Sequence, residues 1–255
     1  MQVDPTAHAA GVRHIAYESV GSTNAEALAR ARAGERGPLW ITADGQSEGR
    51  GRRGSQWLSP PGNLYATLLL SEPSRLEIAP QLSFVAALAV RDAVTQCAPK
   101  LVAVLKFKWP NDILLAGAKL AGLLIEGESG PRFAVAIGIG VNCASHPDDM
   151  PFPATSLAAA GAPVTPSHLF SALTATMQQR LAQWQAGGGF GAIRADWLAR
   201  AAGLGEDIRV RLPERELAGR FHGLDAAGRL LLQRPDTPIE VVTAGEVFSL
   251  GVHGR

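Results

Sequence analysis

Three clusters in this 255-residue chain carry side chains able to do chemistry. The first is Gly49-Arg50-Gly51-Arg52-Arg53-Gly54. Glycines leave backbone N–H groups free to converge on an anion. Arginines between them offer planar forks for carboxylate and phosphate oxygens. A site that brings a carboxylate up to a phosphate needs both devices, because it gathers negative charge at close range. The spacing also satisfies G-x-G-x-x-G, but that dinucleotide fingerprint needs a helix to begin at its last glycine. Here Ser55-Gln56-Trp57-Leu58-Ser59-Pro60-Pro61-Gly62 comes next, which is turn-rich and starts no helix. Taken alone, the loop fits a solvated linker or an RGG-type RNA-binding segment as well as an anion site.

The second cluster is Lys108-Trp109-Pro110-Asn111-Asp112, and the third is Lys119 at the head of the apolar stretch Leu120–Glu126. Pro110 and Asn111 are turn formers, but a turn needs neither Lys108 nor Asp112. Strand alternation sends Phe107 and Lys108 to opposite faces. Two lysines and an aspartate arriving from adjacent hairpins could clamp the α-phosphate of ATP and orient Mg²⁺. Any one of them alone reads as an ordinary exposed turn residue.

The rest of the composition narrows the classes. The formal net charge is +1, and the basic residues concentrate in Arg50–Arg53. A nucleic-acid footprint would show a broad basic excess instead. Cys97 and Cys143 lie in apolar stretches without a CxxC partner, so they read as reduced core residues. The stretch from Met1 to Ala10 has no signal-type apolar core, and the longest apolar run, Phe84–Val90, is too short to span a bilayer. The expectation is a cytoplasmic protein that engages no membrane.

In order along the chain, Gly21-Ser22-Thr23-Asn24, Gln46 with Gly49–Gly54, Lys108–Asp112, Lys119–Gly122 and Gly138-Ile139-Gly140-Val141-Asn142 resemble the biotin–protein ligase family. The likeness covers roughly residues 15–145. It implies an enzyme that makes biotinyl-5'-AMP from biotin and ATP, with Mg. The biotin then passes to a lysine of a biotin carboxyl carrier protein. By that resemblance Ser22, Thr23, Asn24, Gln46, Gly49 and Gly122 would bind biotin, with Ser22, Thr23 and Gln46 on its ureido ring. Arg50, Arg52 and Lys119 would meet the biotin carboxylate and the α-phosphate. Arg52, Arg53, Trp57, Lys108, Asn111, Lys119 and Asn142 would bind ATP, and Asp112 would hold the metal or an orienting network.

The implied catalytic set is Arg50, Arg52, Lys119 and Asp112. Ser47-Glu48 departs from the family pattern by setting a carboxylate beside the anion loop. The short stretch before Glu18 leaves no room for a helix-turn-helix, so no DNA binding is expected; a homodimer is compatible with the sequence. The rival readings are a lipoate– or octanoate–protein ligase or transferase, which needs a greasy tunnel for its acyl head, and a non-catalytic ligand-sensing or nucleic-acid-binding module.

These clusters must be held by an α+β scaffold. Residues 1–14 read as a flexible leader. Thr23-Asn24-Ala25-Glu26 has capping-box spacing, with Thr23 as N-cap and Glu26 at N3, and opens a helix that ends near Gly34. Strands are expected at Leu39–Ala43 and Leu64–Leu70, and a helix from Pro80 to about Cys97. Two hairpins come after it: Val102–Lys108 with Ile113–Leu115, then Leu120–Glu126 with Phe133–Asn142 around Gly130-Pro131. Helices are expected over Pro166–Gln185 and Ile193–Ala202. Beyond Gly203, short strands without helix suggest a small barrel: Ile208–Leu212, a hairpin over Phe221–Leu232, and Glu240–Leu250. The expected units are a catalytic domain over 15–203 and a small β-barrel domain over 204–255. The resemblance implies a class II synthetase-like mixed or antiparallel sheet for the first and an SH3-like barrel for the second.

Overall fold

A computed structural model describes residues 1–128, 132–148, 150–235 and 237–249. The first unit runs α1 (Pro5–Ala9), β1 (Arg13–Val20), α2 (Thr23–Arg32), β2 (Leu39–Gln46), β3 (Leu64–Ser71), α3 (Leu82–Cys97), β4 (Leu105–Lys108), β5 (Asp112–Leu115), β6 (Ala118–Glu128), β7 (Ala134–Val141), α4 (Pro166–Trp184) and α5 (Phe190–Leu198). Its seven strands form one sheet in the order β1-β2-β3-β7-β6-β5-β4. Strands β1 and β2 run parallel, and the other neighbours are antiparallel. The sheet is mixed and the class α+β, as expected.

The central strands β3 and β7 are buried on both faces and read as near-continuous apolar runs. Their register aligns glycines across the sheet. Tyr65 pairs with Gly140 and Thr67 with Gly138, and Gly140 pairs with Gly122 of β6. Three glycines therefore clear a floor on one face. On the opposite side α3 is apolar around most of its circumference, burying Leu82, Val85, Leu88, Val90 and Val94, because the sheet, α4 and α5 all cover it. The helical run Leu76–Cys97 is long and apolar enough to cross a membrane by composition, but most of it is buried in this core.

Several boundaries differ from expectation. The N-cap of α2 is Ser22, whose Oγ accepts from Ala25 N–H at 3.4 Å. Thr23 is the first helical residue because its hydroxyl is already committed to Gln46, and Glu26 pairs with Arg30 instead of closing a capping box. Residues 99–104 form a 3-10 turn started by Pro99, so β4 begins only at Leu105. The N-terminal stretch is not a loose leader: Asp4 caps α1, Ala7 is fully buried, and the Asp4 N–H donates to Thr174 Oγ1 on α4 at 2.9 Å. The last helix ends at Leu198, and residues 200–202 lie along β4 instead. The turn at Gly130-Pro131 and the end of the last strand at Leu250 fall outside the described residues.

The second unit comprises β8 (Asp207–Arg211), β9 (Glu216–Leu224), β10 (Leu230–Gln233), β11 (Glu240–Val242) and β12 (Glu246–Ser249), an antiparallel sheet in the order β11-β10-β9-β8-β12. On β8, Ile208 and Val210 point inward while Arg209 and Arg211 face solvent. Asp225 turns the β9–β10 hairpin by accepting the N–H groups of Ala227 and Arg229 at 2.9 Å each. That hairpin packs onto the first unit: the buried Trp109 donates its indole N–H to Gly228 O at 3.1 Å.

Candidate active site

A cavity of about 550 Å³ opens over the glycine floor and collects nearly every residue singled out by sequence. One end is polar and uncharged. Ser22, Thr23 and Asn24, at the start of α2, are all buried. The Gln46 side-chain oxygen accepts from both the Thr23 N–H (2.9 Å) and hydroxyl (3.1 Å), and its nitrogen donates to Ser59 Oγ at 2.9 Å. Below them the fully buried Thr67 hydroxyl lies 2.8 Å from Thr23 Oγ1 and 2.7 Å from Asn24 Oδ1. Asn24 Nδ2 donates to Glu126 Oε2 at 2.8 Å. Sequence reading missed both Thr67 and Glu126, since a threonine inside LYATLLL carries no signal of its own.

The other end is cationic. Lys108 projects from β4 into the cavity while its neighbour Phe107 is fully buried in the core, as strand alternation requires. Burial holds the Lys108 ammonium below its ordinary pKa. Asp112 and Glu246 pull the other way, and Lys119 adds to the depression. Lys119 Nζ stands 2.8 Å from Asp112 Oδ1, close enough for an ion pair although without hydrogen-bond alignment. Both lysines also face one aromatic ring: Phe152 lies 5.8 Å from Lys108 Nζ and 5.3 Å from Lys119 Nζ. Such contacts are weak beside phosphate, so both ammonium groups are held by partners a phosphate can displace.

The glycine–arginine loop forms one wall. It folds as a tight hairpin, with Trp57 N–H on Gly49 O (2.9 Å) and Gly51 N–H on Ser55 O (2.7 Å). The expectation that its amides stand free as an anion nest therefore fails at Gly51. The loop acts through its side chains. Gly49 is required for space: a β-carbon there would sit 2.4 Å from Trp57 O. Arg53 adopts φ +55° at the exposed tip. Arg52 points inward, 3.4 Å from Asn111 Oδ1 and 3.2 Å from Gly245 O of the second unit. Burial, and next the charge of Arg53, lower its pKa, while Asp112 and Glu246 oppose them.

Arg50 pairs with Glu126 at 3.3 Å. Glu48, the unusual acid beside the loop, takes part in no ion pair among the described residues; its Oε2 lies near Gly21, and it leaves the arginines alone. Trp57 folds back over the glycine floor, where a β-carbon on Gly140 would meet its indole at 2.5 Å and one on Gly122 at 2.8 Å. Its buried indole N–H has no acceptor among the described residues. Asn111 is fixed by donating to Leu123 O at 2.7 Å, and Asn142 by donating to Thr155 O at 3.0 Å.

The second unit also lines the cavity with Gly245 and Glu246, and the loop after β7 contributes Pro147, Met150, Phe152 and Ala154. Neither was found from sequence, because both are brought in by tertiary packing. The described residues alone build no complete metal cage, although Asp112 would offer one carboxylate to a magnesium held mainly by nucleotide phosphates. Among the described residues no three His, Cys, Asp or Glu side chains converge, and Asp112 already faces Lys119. Thus one end of the cavity can satisfy a buried neutral polar group, and the other can gather carboxylate and phosphate charge.

Comparison with known proteins agrees with this geometry. Residues 18–142 match the biotin/lipoate A/B protein ligase family, and residues 203–249 match the biotin protein ligase C terminal domain. A biotin–[acetyl-CoA-carboxylase] ligase from Paracoccus denitrificans is 45% identical over 239 residues, covering 89% of this chain and 96% of the relative. The fold resembles a biotin protein ligase from Aquifex aeolicus solved with biotin and ATP (TM-score 0.76, 24% identity, 92% of this chain and 97% of that one). It also resembles the Leishmania major biotin protein ligase solved with biotinyl-5-AMP (TM-score 0.64, 27% identity, 91% and 99%). On the strength of the ordered motifs, the shared fold and a relative matched nearly end to end, this chain belongs to the biotin/lipoate A/B protein ligase family.

Proposed function

We propose that the chain is a biotin–[acetyl-CoA-carboxylase] ligase that works in the cytoplasm, makes biotinyl-5'-AMP from biotin and MgATP, and biotinylates a lysine of a biotin carboxyl carrier protein. The observation that carries this reading is the polarity of one continuous cavity. Neutral hydrogen-bonding groups at Ser22, Thr23 and Gln46 lie at one end, Arg52, Lys108 and Lys119 gather at the other, and Arg50, paired with the Glu126 that also holds Asn24, borders the neutral groups. A ureido ring must find polar partners when buried, whereas a lipoyl or octanoyl head would leave that end unsatisfied.

In the first step an oxygen of the biotin carboxylate attacks the α-phosphorus of ATP, the bond to the bridging oxygen breaks, and pyrophosphate leaves with its magnesium. The protein's part is positioning and charge stabilisation. Arg50 and Lys119 hold the carboxylate against the α-phosphate, and Lys108, Arg52 and Arg53 neutralise the remaining phosphate oxygens. Asn111 steadies Arg52 from below, while Asn142 and Trp57 flank the adenylate. Magnesium enters here as counter-ion of the nucleotide. In the second step the neutral amine of the acceptor lysine attacks the acyl carbon and AMP leaves. As Lys119 turns to phosphate, Asp112 loses its partner and becomes free to take the amine proton. The loop wall keeps water from the mixed anhydride in the meantime.

The test is direct. The purified chain is incubated with MgATP, a biotin carboxyl carrier domain, and either biotin, lipoate or octanoate. Label on the carrier with biotin alone, by avidin blot and intact mass, is the expected result. Transfer of lipoate or octanoate in preference to biotin, or no transfer of any, refutes the reading.

A further inference from the structure

Resting on the reading of the cavity as a nucleotide site, we infer that Asn63 is a positioning residue for the nucleotide half of the reaction. Its side chain is 2% exposed and lines no part of the cavity. One amide oxygen, Oδ1, accepts three consecutive backbone N–H groups: Cys143 at 2.9 Å, Ala144 at 2.9 Å and Ser145 at 3.2 Å. Its nitrogen donates to Ser145 O at 3.0 Å and lies 3.4 Å from Ser145 Oγ. Three successive amides converging on one oxygen form the concavity that elsewhere captures an anion; here the chain fills it with its own carboxamide. The neighbouring Gly62, at φ +97°, lets the two segments approach: a β-carbon there would sit 3.1 Å from Ala144 Cβ.

The segment gripped in this way starts one residue after Asn142. It leads into Pro147, Met150 and Phe152, the cavity wall against which Lys108 and Lys119 rest. On the other side Asn63 belongs to the strap that succeeds the glycine–arginine loop, where Pro60 O accepts from the Tyr65 hydroxyl at 2.7 Å. One side chain therefore fixes two cavity walls relative to each other. The polar end touches the strap only through Ser59, which holds Gln46, and makes no hydrogen bond to residues 143–145: Ser22 and Thr23 are held from Ala25 and Thr67 instead. Loss of the grip should impair nucleotide and spare biotin.

The full-length protein, Asn63→Ala and Asn63→Asp are compared by calorimetric titration with biotin, by the KM for ATP in biotin-dependent pyrophosphate release, and by thermal melting. Asn63→Ala should raise the KM for ATP at least about tenfold, since buried amides lose their acceptor, with the Kd for biotin within about twofold. Asn63→Asp, which keeps an oxygen for the same three amides but sets its second oxygen against Ser145 O, should recover part of the loss, with a KM at least about threefold below that of the alanine variant. If the alanine variant melts below assay temperature, Asn63→Ser, with one shorter acceptor, carries the same comparison. An unchanged KM for ATP, a parallel loss of biotin affinity, or an aspartate variant as impaired as alanine overturns the inference. A wild-type protein that binds neither biotin nor ATP would instead overturn the functional reading beneath it.

Discussion

Replacing Thr67 with valine tests the polar end of the cavity without changing its shape. Valine has nearly the volume of threonine, so no cavity opens, and only the hydroxyl is lost. That hydroxyl has one proton and two oxygen neighbours, Thr23 Oγ1 at 2.8 Å and Asn24 Oδ1 at 2.7 Å. Thr23 can donate to Gln46, but Asn24 Oδ1 can only accept, so the Thr67 proton belongs to Asn24. Thr67→Val leaves that buried oxygen without a donor, against an apolar methyl and the crowded Gly138, where a β-carbon would sit 2.4 Å from it. An orphaned buried acceptor costs about 1–3 kcal/mol. The expected result is therefore a fall of about that size in unfolding free energy from urea titration. Because Asn24 sits at the first turn of α2 beside Ser22 and Thr23, biotin binding measured by calorimetry should weaken by roughly fivefold or more. A variant as stable as wild type within about 0.5 kcal/mol, with biotin affinity unchanged, would refute the claim that this chain of hydrogen bonds tunes the site.

Three further outcomes are expected. Arg52→Ala should keep the fold but slow adenylate formation by about a hundredfold, the usual scale for removing one preorganised charge donor; single-turnover quench kinetics at unchanged rate would exclude Arg52 from the chemistry. Lys108, held low by burial, should take up a proton when phosphate arrives at alkaline pH, seen as buffer-dependent binding enthalpy for ATP that vanishes in Lys108→Gln. Since the unfolded lysine binds its proton more tightly, the Lys108 penalty is present below its folded pKa and fades as pH rises toward about 10.4. His14, its ring tilted against Phe170 at 4.8 Å and its pKa held to about 4 by burial, stays neutral where an unfolded histidine is charged. Folding stability should therefore fall as pH drops from about 6.5 toward 4, and His14→Phe should flatten that acid limb in pH-dependent urea midpoints.

Much of the site was legible because its chemistry sits in short contiguous runs. Lys108–Asp112 and the lysine heading β6 announce themselves by charges that no turn or strand requires. The alternation that buries Phe107 and frees Lys108 is dictated by the geometry of a strand alone. Legibility stopped where one residue had two uses. Thr23 had the spacing of a cap, but Gln46 competed for its hydroxyl and the cap moved to Ser22. Pro99 turned the approach to β4 into a 3-10 segment that hydrophobicity alone reads as strand. Phe152, Glu246 and Asn63 were invisible for a different reason: each acts across a sequence separation that no local pattern encodes.

The stretch joining the two units has a consequence beyond connection. Phe107 N–H donates to Arg200 O at 2.9 Å and Ala202 N–H to Phe107 O at 2.7 Å, so the joining segment is laid along the outer edge of β4. An uncovered strand edge is a template for association between chains. Severing the protein near residue 200 to obtain a minimal ligase would thus do more than discard a small sheet: it would uncover sticky backbone and invite fibrous or amorphous aggregates. A tag or fused partner belongs instead at the exposed bend around Glu214, between β8 and β9.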